Sequence, residues 1–296
     1  MRILSLVPHA TELLFALGLG GQVIAVTHEC DYPPHALALP RATRDMLEPG
    51  LSSGEIDAAV TERTTQGLSI YELDAELVRR LEPDLIVTQA LCPVCAVSYD
   101  DVAALAGTLP GPARVIALDP HTLGETLGDV RTLAEATGRR DAGVALIARI
   151  AGRIDRVRLA VRRADRPRVA AIEWFDPIYV AGHWTPQLID LAGGEDVLGG
   201  PGEPSERSTW DILAQASPDV IVAMPCGYGA ARAAEEAAGH AGRLRSTGAG
   251  RVVAVDAASY FSRPGPRLVD GLELLAHILH PELVPHAPDQ VLEVAL

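Results

Sequence analysis

The chain has 296 residues, enough for two domains of ordinary size with a generous core. A formal charge of −14 leaves no basic surface for nucleic acid, and all 25 basic residues are arginine, which excludes lysine-based catalysis. Apolar residues make up 48% but aromatics only 4%, so Ala, Val, Leu and Ile must build the core.

The N-terminal "MRILSLVPHATELLFALGLGG" carries one positive charge and an apolar run that His9, Thr11 and Glu12 interrupt. No small-residue cleavage site and no lipoprotein cysteine accompany it, so it reads as a strand at 2–7 and a helix at 11–17. No window approaches ~18 uninterrupted apolar residues, so nothing embeds in a membrane. The location expected from these readings is cytoplasmic, with reduced thiols.

Short apolar strands follow at 23–26, 84–88 and 114–118, bounded by Gly, Pro or Asp as buried parallel strands are. Helical patterns lie at about 74–81, 99–107 and 122–137, and a looser segment, 40–70, carries a short helix at "SGEIDAAV". From Arg139 to Ala164, Val144, Ile147, Ala151, Ile154 and Val161 fall at helical spacing opposite an arginine-rich face. At 1.5 Å per residue that is a rod of roughly 37 Å. The pattern then restarts with strands at 168–174, 219–224 and 251–256 and helices near 184–192, 208–216 and 266–279. The tail after Pro281 is expected to be loosely ordered. The implied organisation is an α/β lobe over 1–138, a connecting helix within 139–166, and a second α/β lobe over 167–296.

An internal echo supports two lobes: "LVRRLEPDLIVTQALC" is mirrored by "ILAQASPDVIVAMPC". In both, a helix passes through a Pro-Asp turn into a buried strand that ends at a cysteine. With "SLVPHATELLFALG", "VTHECDYPP", "DPIYVAGHWTPQLIDLAGGEDVL" and "DAASYFSRPGPRLVDGLELLAHILHP", the chain resembles the class III, helical-backbone substrate-binding proteins, its cobalamin-binding members above all. The resemblance covers nearly the whole chain; segment 40–70 looks like an insertion relative to those members.

What the resemblance implies is two Rossmann-like lobes with parallel sheets, a rigid connecting helix, and a metal chelate such as a corrinoid, haem or a ferric siderophore held in the cleft between lobes. It also implies an ABC permease as partner. The docking positions that match are Glu76 and Asp211, each eight residues before the Asp of its Pro-Asp turn; the bland alternative for each is an acid on a solvated helix. Open α/β sheets bind ligands beyond the carboxyl ends of their strands. Those ends carry His9, Tyr32, Trp174, Phe175, Tyr179, Tyr228, Tyr260, Phe261 and Arg263. Flat aromatic faces there suit a macrocycle.

The four cysteines are expected at the same ends: Cys30 after the second strand, Cys92 and Cys95 after the third, Cys226 after the equivalent strand of the second lobe. Three readings compete. They are small buried residues beside turns, or Cys92-Pro-Val-Cys95 is a redox pair at a helix N-terminus, or all four hold zinc or an iron–sulfur cluster, with His9 and His28 as further ligands. Glu12, in a first helical turn, reads more simply as a partner of the helix dipole. "GLGG" lacks the spacing of a dinucleotide fingerprint, and no hydrolytic triad or carboxylate pair stands out. Two functions therefore stand: a chelate-binding protein of the transporter type, or a metalloprotein with redox or enzymatic activity.

Overall fold

The computed structural model describes residues 1–90, 96–285 and 291–296. The chain divides into two compact units, 1–120 with 125–147, and 121–124 with 148–296. Each has its own sheet.

In the first unit the elements are β1 (Ile3–Ser5), α1 (Pro8–Ala16), β2 (Val23–Ala25), β3 (Thr43–Asp45), α2 (Ser53–Thr65), β4 (Tyr71–Leu73), α3 (Ala75–Leu81), β5 (Leu85–Gln89), α4 (Tyr99–Ala106), β6 (Arg114–Leu118) and α5 (Leu123–Ala136). The sheet runs β2-β1-β5-β6, all parallel. β1 and β5 are buried along their whole length, because helices cover both faces and every position is apolar or a small hydroxyl or amide. One face puts Leu4 and Ile86 against Val78 of α3 and Val102 and Leu105 of α4. Each such side chain contributes about 1.5–3 kcal/mol by leaving water. Segment 40–70 is more organised than expected. β3 and β4 pair antiparallel, and α2 between them starts at a capping box in which Ser52 and Glu55 satisfy each other's backbone N–H.

α6 (Arg140–Val161) is 22 residues long, about 33 Å at 1.5 Å per residue. Its buried stripe is Leu146, Ile150, Val157 and Val161, while Val144 is 69% exposed. The stripe is offset from the expected one because it passes through a charge. Arg153 lies on it, bonded to Asp270 at 2.6 Å and to Glu273 at 2.5 and 2.9 Å.

The second unit continues with β7 (Arg168–Phe175), β8 (Ile178–Val180), α7 (Thr185–Leu191), β9 (Glu195–Asp196), β10 (Glu206–Arg207), α8 (Trp210–Gln215), β11 (Val220–Ala223), α9 (Ala230–Gly239), α10 (Ala241–Ser246), β12 (Arg251–Val255), α11 (Ala257–Tyr260), α12 (Leu268–Leu279) and β13 (Val291–Glu293). The start of β7 pairs parallel with β9 and its end pairs antiparallel with β8. Its other edge takes β11 and then β12, both parallel. The parallel strands therefore read β9-β7-β11-β12, the same arrangement as β2-β1-β5-β6, with the unit's first strand second in line. The sheet is mixed rather than purely parallel, and the tail expected to be loose adds β13 as an antiparallel edge.

The sequence echo has a physical basis. Just past α3 stands Glu82 (φ 41°) and just past α8 stands Ser217 (φ 47°), each left-handed and each followed by proline, a helix stop. The next residue, Asp84 or Asp219, accepts the N–H of an arginine at the start of the unit's first strand, at 2.7 Å from Arg2, just before β1, and 2.8 Å from Arg168, the first residue of β7. Those arginines donate back to the helix-end carbonyls, Arg2 to Leu81 at 2.6 Å and Arg168 to Ala216 at 2.8 Å. One corner, built twice, locks a helix end to a strand start.

Candidate ligand-binding site

Both sheets have a switch point, where successive connections leave in opposite directions: between β1 and β5, and between β7 and β11. Such crevices at the carboxyl ends are where open α/β sheets take ligands.

In the first unit the chain turns from β1 directly into α1. Pro8 occupies the first helical position, where its missing N–H costs nothing, so the helix starts three residues earlier than the sequence pattern suggested. His9 thereby falls inside the helix rather than before it, and it is buried, as are Thr11 and Glu12. Thr11 Oγ1 donates to Ser5 Oγ at 2.8 Å, and Ser5 Oγ donates to the Val7 carbonyl at 3.2 Å. Cys30 Sγ stands 3.1 Å from Thr11 Oγ1, whose proton is already used, so the thiol is the donor there. Arg41 Nη1 holds the loop by donating to the carbonyls of Thr27 and Cys30 at 2.9 and 2.8 Å. Cys30 is thus a buried thiol in a hydroxyl chain.

Beside it, His28 Nδ1 and Thr43 Oγ1 are 2.8 Å apart, and the imidazole packs 5.0 Å from the Tyr71 ring. His28 Nε2 is buried with no hydrogen-bond partner among the described residues. The small cavity lined by Pro8, Thr27, His28 and Val97 holds about 10 Å³, room for one water. Tyr32 is 45% exposed on the same loop. Cys92 and Cys95 lie outside the described residues.

In the second unit β7 delivers Glu173, Trp174 and Phe175 to the switch point. Trp174 packs edge-on against Tyr228 at 5.5 Å and donates its Nε1–H to the Asp176 carbonyl at 3.1 Å. Tyr228 is buried, with the Arg232 guanidinium 3.7 Å above its ring. Phe175 is a core residue, stacked on His240 at 5.3 Å; His240 in turn stacks on Trp210 at 5.4 Å. Phe261 is also buried, and its carbonyl accepts the Trp184 Nε1–H at 2.8 Å. Tyr179, Tyr260 and Arg263 are half-buried, and Cys226 is exposed, its N–H donating to the Glu173 carbonyl at 3.1 Å. Among the described residues no group of three or more His, Cys, Asp or Glu is placed to hold a metal ion.

Glu173 is a residue that the sequence pattern alone does not single out. Its Oε2 accepts from Ser205 Oγ at 2.5 Å, and Ser205 Oγ accepts from the Gly182 N–H at 3.2 Å. Gly182 makes this approach feasible: a Cβ there would collide with the backbone of Glu203, Pro204 and Ser205. Burial holds the Glu173 carboxyl above the usual carboxylate range, against the opposing pull of Ser205. The one signal in the sequence is a glutamate near the end of a strand whose other residues after Arg168 are apolar or aromatic.

Glu76 and Asp211 fall in matching places, the exposed first turns of α3 and α8, behind the N-caps Asp74 and Thr209. An acid there is stabilised by the helix dipole whatever else it does.

The periplasmic binding protein family model matches residues 3–255. The chain belongs to that family. The vitamin B12-binding protein of Vibrio cholerae serotype O1 is 25% identical over 290 residues, covering 92% of this chain and 86% of its own. A periplasmic heme-binding protein from Pseudomonas aeruginosa has the same fold, with a TM-score of 0.75 at 19% identity over 100% of this chain and 98% of that one. The periplasmic vitamin B12 binding protein of Vibrio cholerae follows, with a TM-score of 0.67 at 23% identity over 94% and 96% of the two chains. The class III fold expected from the sequence is thereby established.

These relatives are periplasmic, which overturns the cytoplasmic location expected from the N-terminal sequence. The interrupted apolar run at the N-terminus records β1 and α1 and carries no information about compartment. No described helix is long and apolar enough to cross a membrane.

Proposed function

We propose that this protein is a substrate-binding protein that takes a cobalamin- or haem-type metal chelate at the carboxyl ends of its sheets and passes it to an ABC permease. The similarity over 92% of the chain to a vitamin B12-binding protein carries this reading; relatives of the same fold named for heme widen the ligand class. The side chains with surface to offer a flat ligand are Tyr32, Trp174, Tyr260 and Arg263. Phe175, Tyr228 and Phe261 support them from the core, and His9 backs the first unit's switch point. Glu76 and Asp211 supply the acidic contacts to the permease. Neither the relatives nor the described residues support zinc or an iron–sulfur cluster on Cys30, Cys92, Cys95 and Cys226.

Optical titration with cobalamin, cobinamide and haemin tests the function. A saturable spectral change at micromolar ligand is expected for at least one of them, weakened by Trp174→Ala. Unchanged spectra with all three would remove the proposal.

A further inference from the structure

Glu173 differs from the other polar groups at the second switch point. It lies two residues before the end of β7, beside Trp174, and its backbone carbonyl is tied to the loop that follows β11 through Cys226 N–H. Its carboxyl is fixed rather than mobile: Ser205 holds Oε2, and Gly182 N–H holds Ser205. Oε1 has no hydrogen-bond partner among the described residues and keeps a solvent-reached edge. Glu173 is in no ion pair among them either, and the Arg232 guanidinium lies over the Tyr228 ring and donates to its hydroxyl at 2.9 Å. The structure therefore presents a preorganised acceptor without a counter-cation among the described residues, one position before Trp174 in the strand. A ligand donor would satisfy it. A ligand carboxylate would either face a second negative charge or have to share a proton with it.

Resting on the chelate-binding function above, we infer that Glu173 is a specificity residue that selects macrocycles with uncharged, hydrogen-bond-donating side chains, such as primary amides, over macrocycles bearing carboxylates. Trp174 supplies the face that any macrocycle can use, and Glu173 reads the periphery. Because Ser205 already donates to Oε2, the remaining acceptor is Oε1, and one amide N–H is the complement it needs.

Three probes separate the effects of ring and charge: cobinamide, whose periphery is amides; haemin, which bears two propionates; and haemin dimethyl ester, which keeps the ring and removes the charges. Wild-type protein is expected to bind cobinamide, and the dimethyl ester at least about tenfold tighter than haemin. Glu173→Gln, which keeps shape and removes charge, is expected to bring haemin and its ester within about threefold while weakening cobinamide by a similar factor. If the chelates bind and Glu173→Gln leaves their ranking unchanged, the specificity role is wrong while chelate binding stands. If none of the three binds wild-type protein, the function itself is wrong and the inference falls with it. Should Glu173→Gln fail to fold, as a thermal melt would reveal, the wild-type comparison of haemin with its ester still decides: equal affinities overturn the inference.

Discussion

In the first unit β1 stops after three residues and Pro8 turns the chain at once into α1; in the second, β7 runs for eight residues and folds back into β8 before α7 begins. Both sheets use the same parallel strand order, so the difference lies in how each first strand ends. The short ending brings helix and loop close together and buries hydroxyls and a thiol, joined in the chain Cys30–Thr11–Ser5. The long ending carries aromatics to the end of the strand, where Trp174 meets Tyr228 and Phe175 meets His240 and Trp210. One topology thus yields a small polar end and a broad aromatic one. The duplicated corners at Asp84 and Asp219 hold the frame constant while the ends differ.

The aromatic end should be the more costly to break. Phe175 is 1% exposed and stacked on His240, so Phe175→Ala removes a large buried ring and opens a cavity. A loss of about 3–5 kcal/mol is expected in urea unfolding, with altered Trp210 fluorescence in the native state. A loss under about 1 kcal/mol would mean the stack does not support that end. Next comes the claim that the corners are equivalent. Asp84→Ala and Asp219→Ala each strand a strand-opening N–H, and each should cost about 1.5–3 kcal/mol. The two losses should agree; a clear disparity between them would show that the echo is one of sequence only.

The polar end offers a finer test. Thr11→Val keeps volume but leaves Ser5 and the Cys30 thiol without the hydroxyl between them. A destabilisation of about 1–2 kcal/mol is expected, and Cys30 should react faster with a thiol reagent. An unchanged rate would count against the hydroxyl chain as the thiol's anchor.

The contrast also explains what could be read beforehand. The parallel strands were legible because "DLIVT" and "DVIVAM" are β-branched runs opened by Pro-Asp, and that dipeptide fixes a corner through its carboxylate. The β7–β8 hairpin was not, since Asp176-Pro177 looks like a strand's end, and its continuation "IYV" is only three residues long. β13 is as short and sits in a polar tail, so only its pairing with β12 identifies it. On α6 a count of apolar residues misplaces the stripe, because Arg153 belongs to it only through Asp270 and Glu273, more than a hundred positions away. At the site, aromatic residues were visible by type, but whether each is core or surface depends on neighbours: Phe175 is buried and Tyr32 open. Glu173 needed Ser205 and Gly182 to become noticeable.

The last expected effect sets two largely buried acids against each other. Among the described residues Glu173 has a hydroxyl donor and no charged neighbour perturbing it, whereas Asp129 has Asp119 and Glu125 close by and a buried Oδ2 with no hydrogen bond. Burial first, then those two carboxylates, push Asp129 up to about 7 from 3.8. Between those values the folded protein keeps a proton that the unfolded chain has released. Stability contributed by the neutral acid is therefore full below about pH 4 and is lost as pH rises through about 7. Solvent reaches part of this carboxyl, which reduces the loss to about 1–2 kcal/mol. Asp129→Asn should raise the melting temperature at pH 8, leave it nearly unchanged at pH 4, and flatten the slope between. A variant that melts in parallel with wild-type protein across that range would show that neither burial nor the acidic neighbours holds the Asp129 carboxyl up.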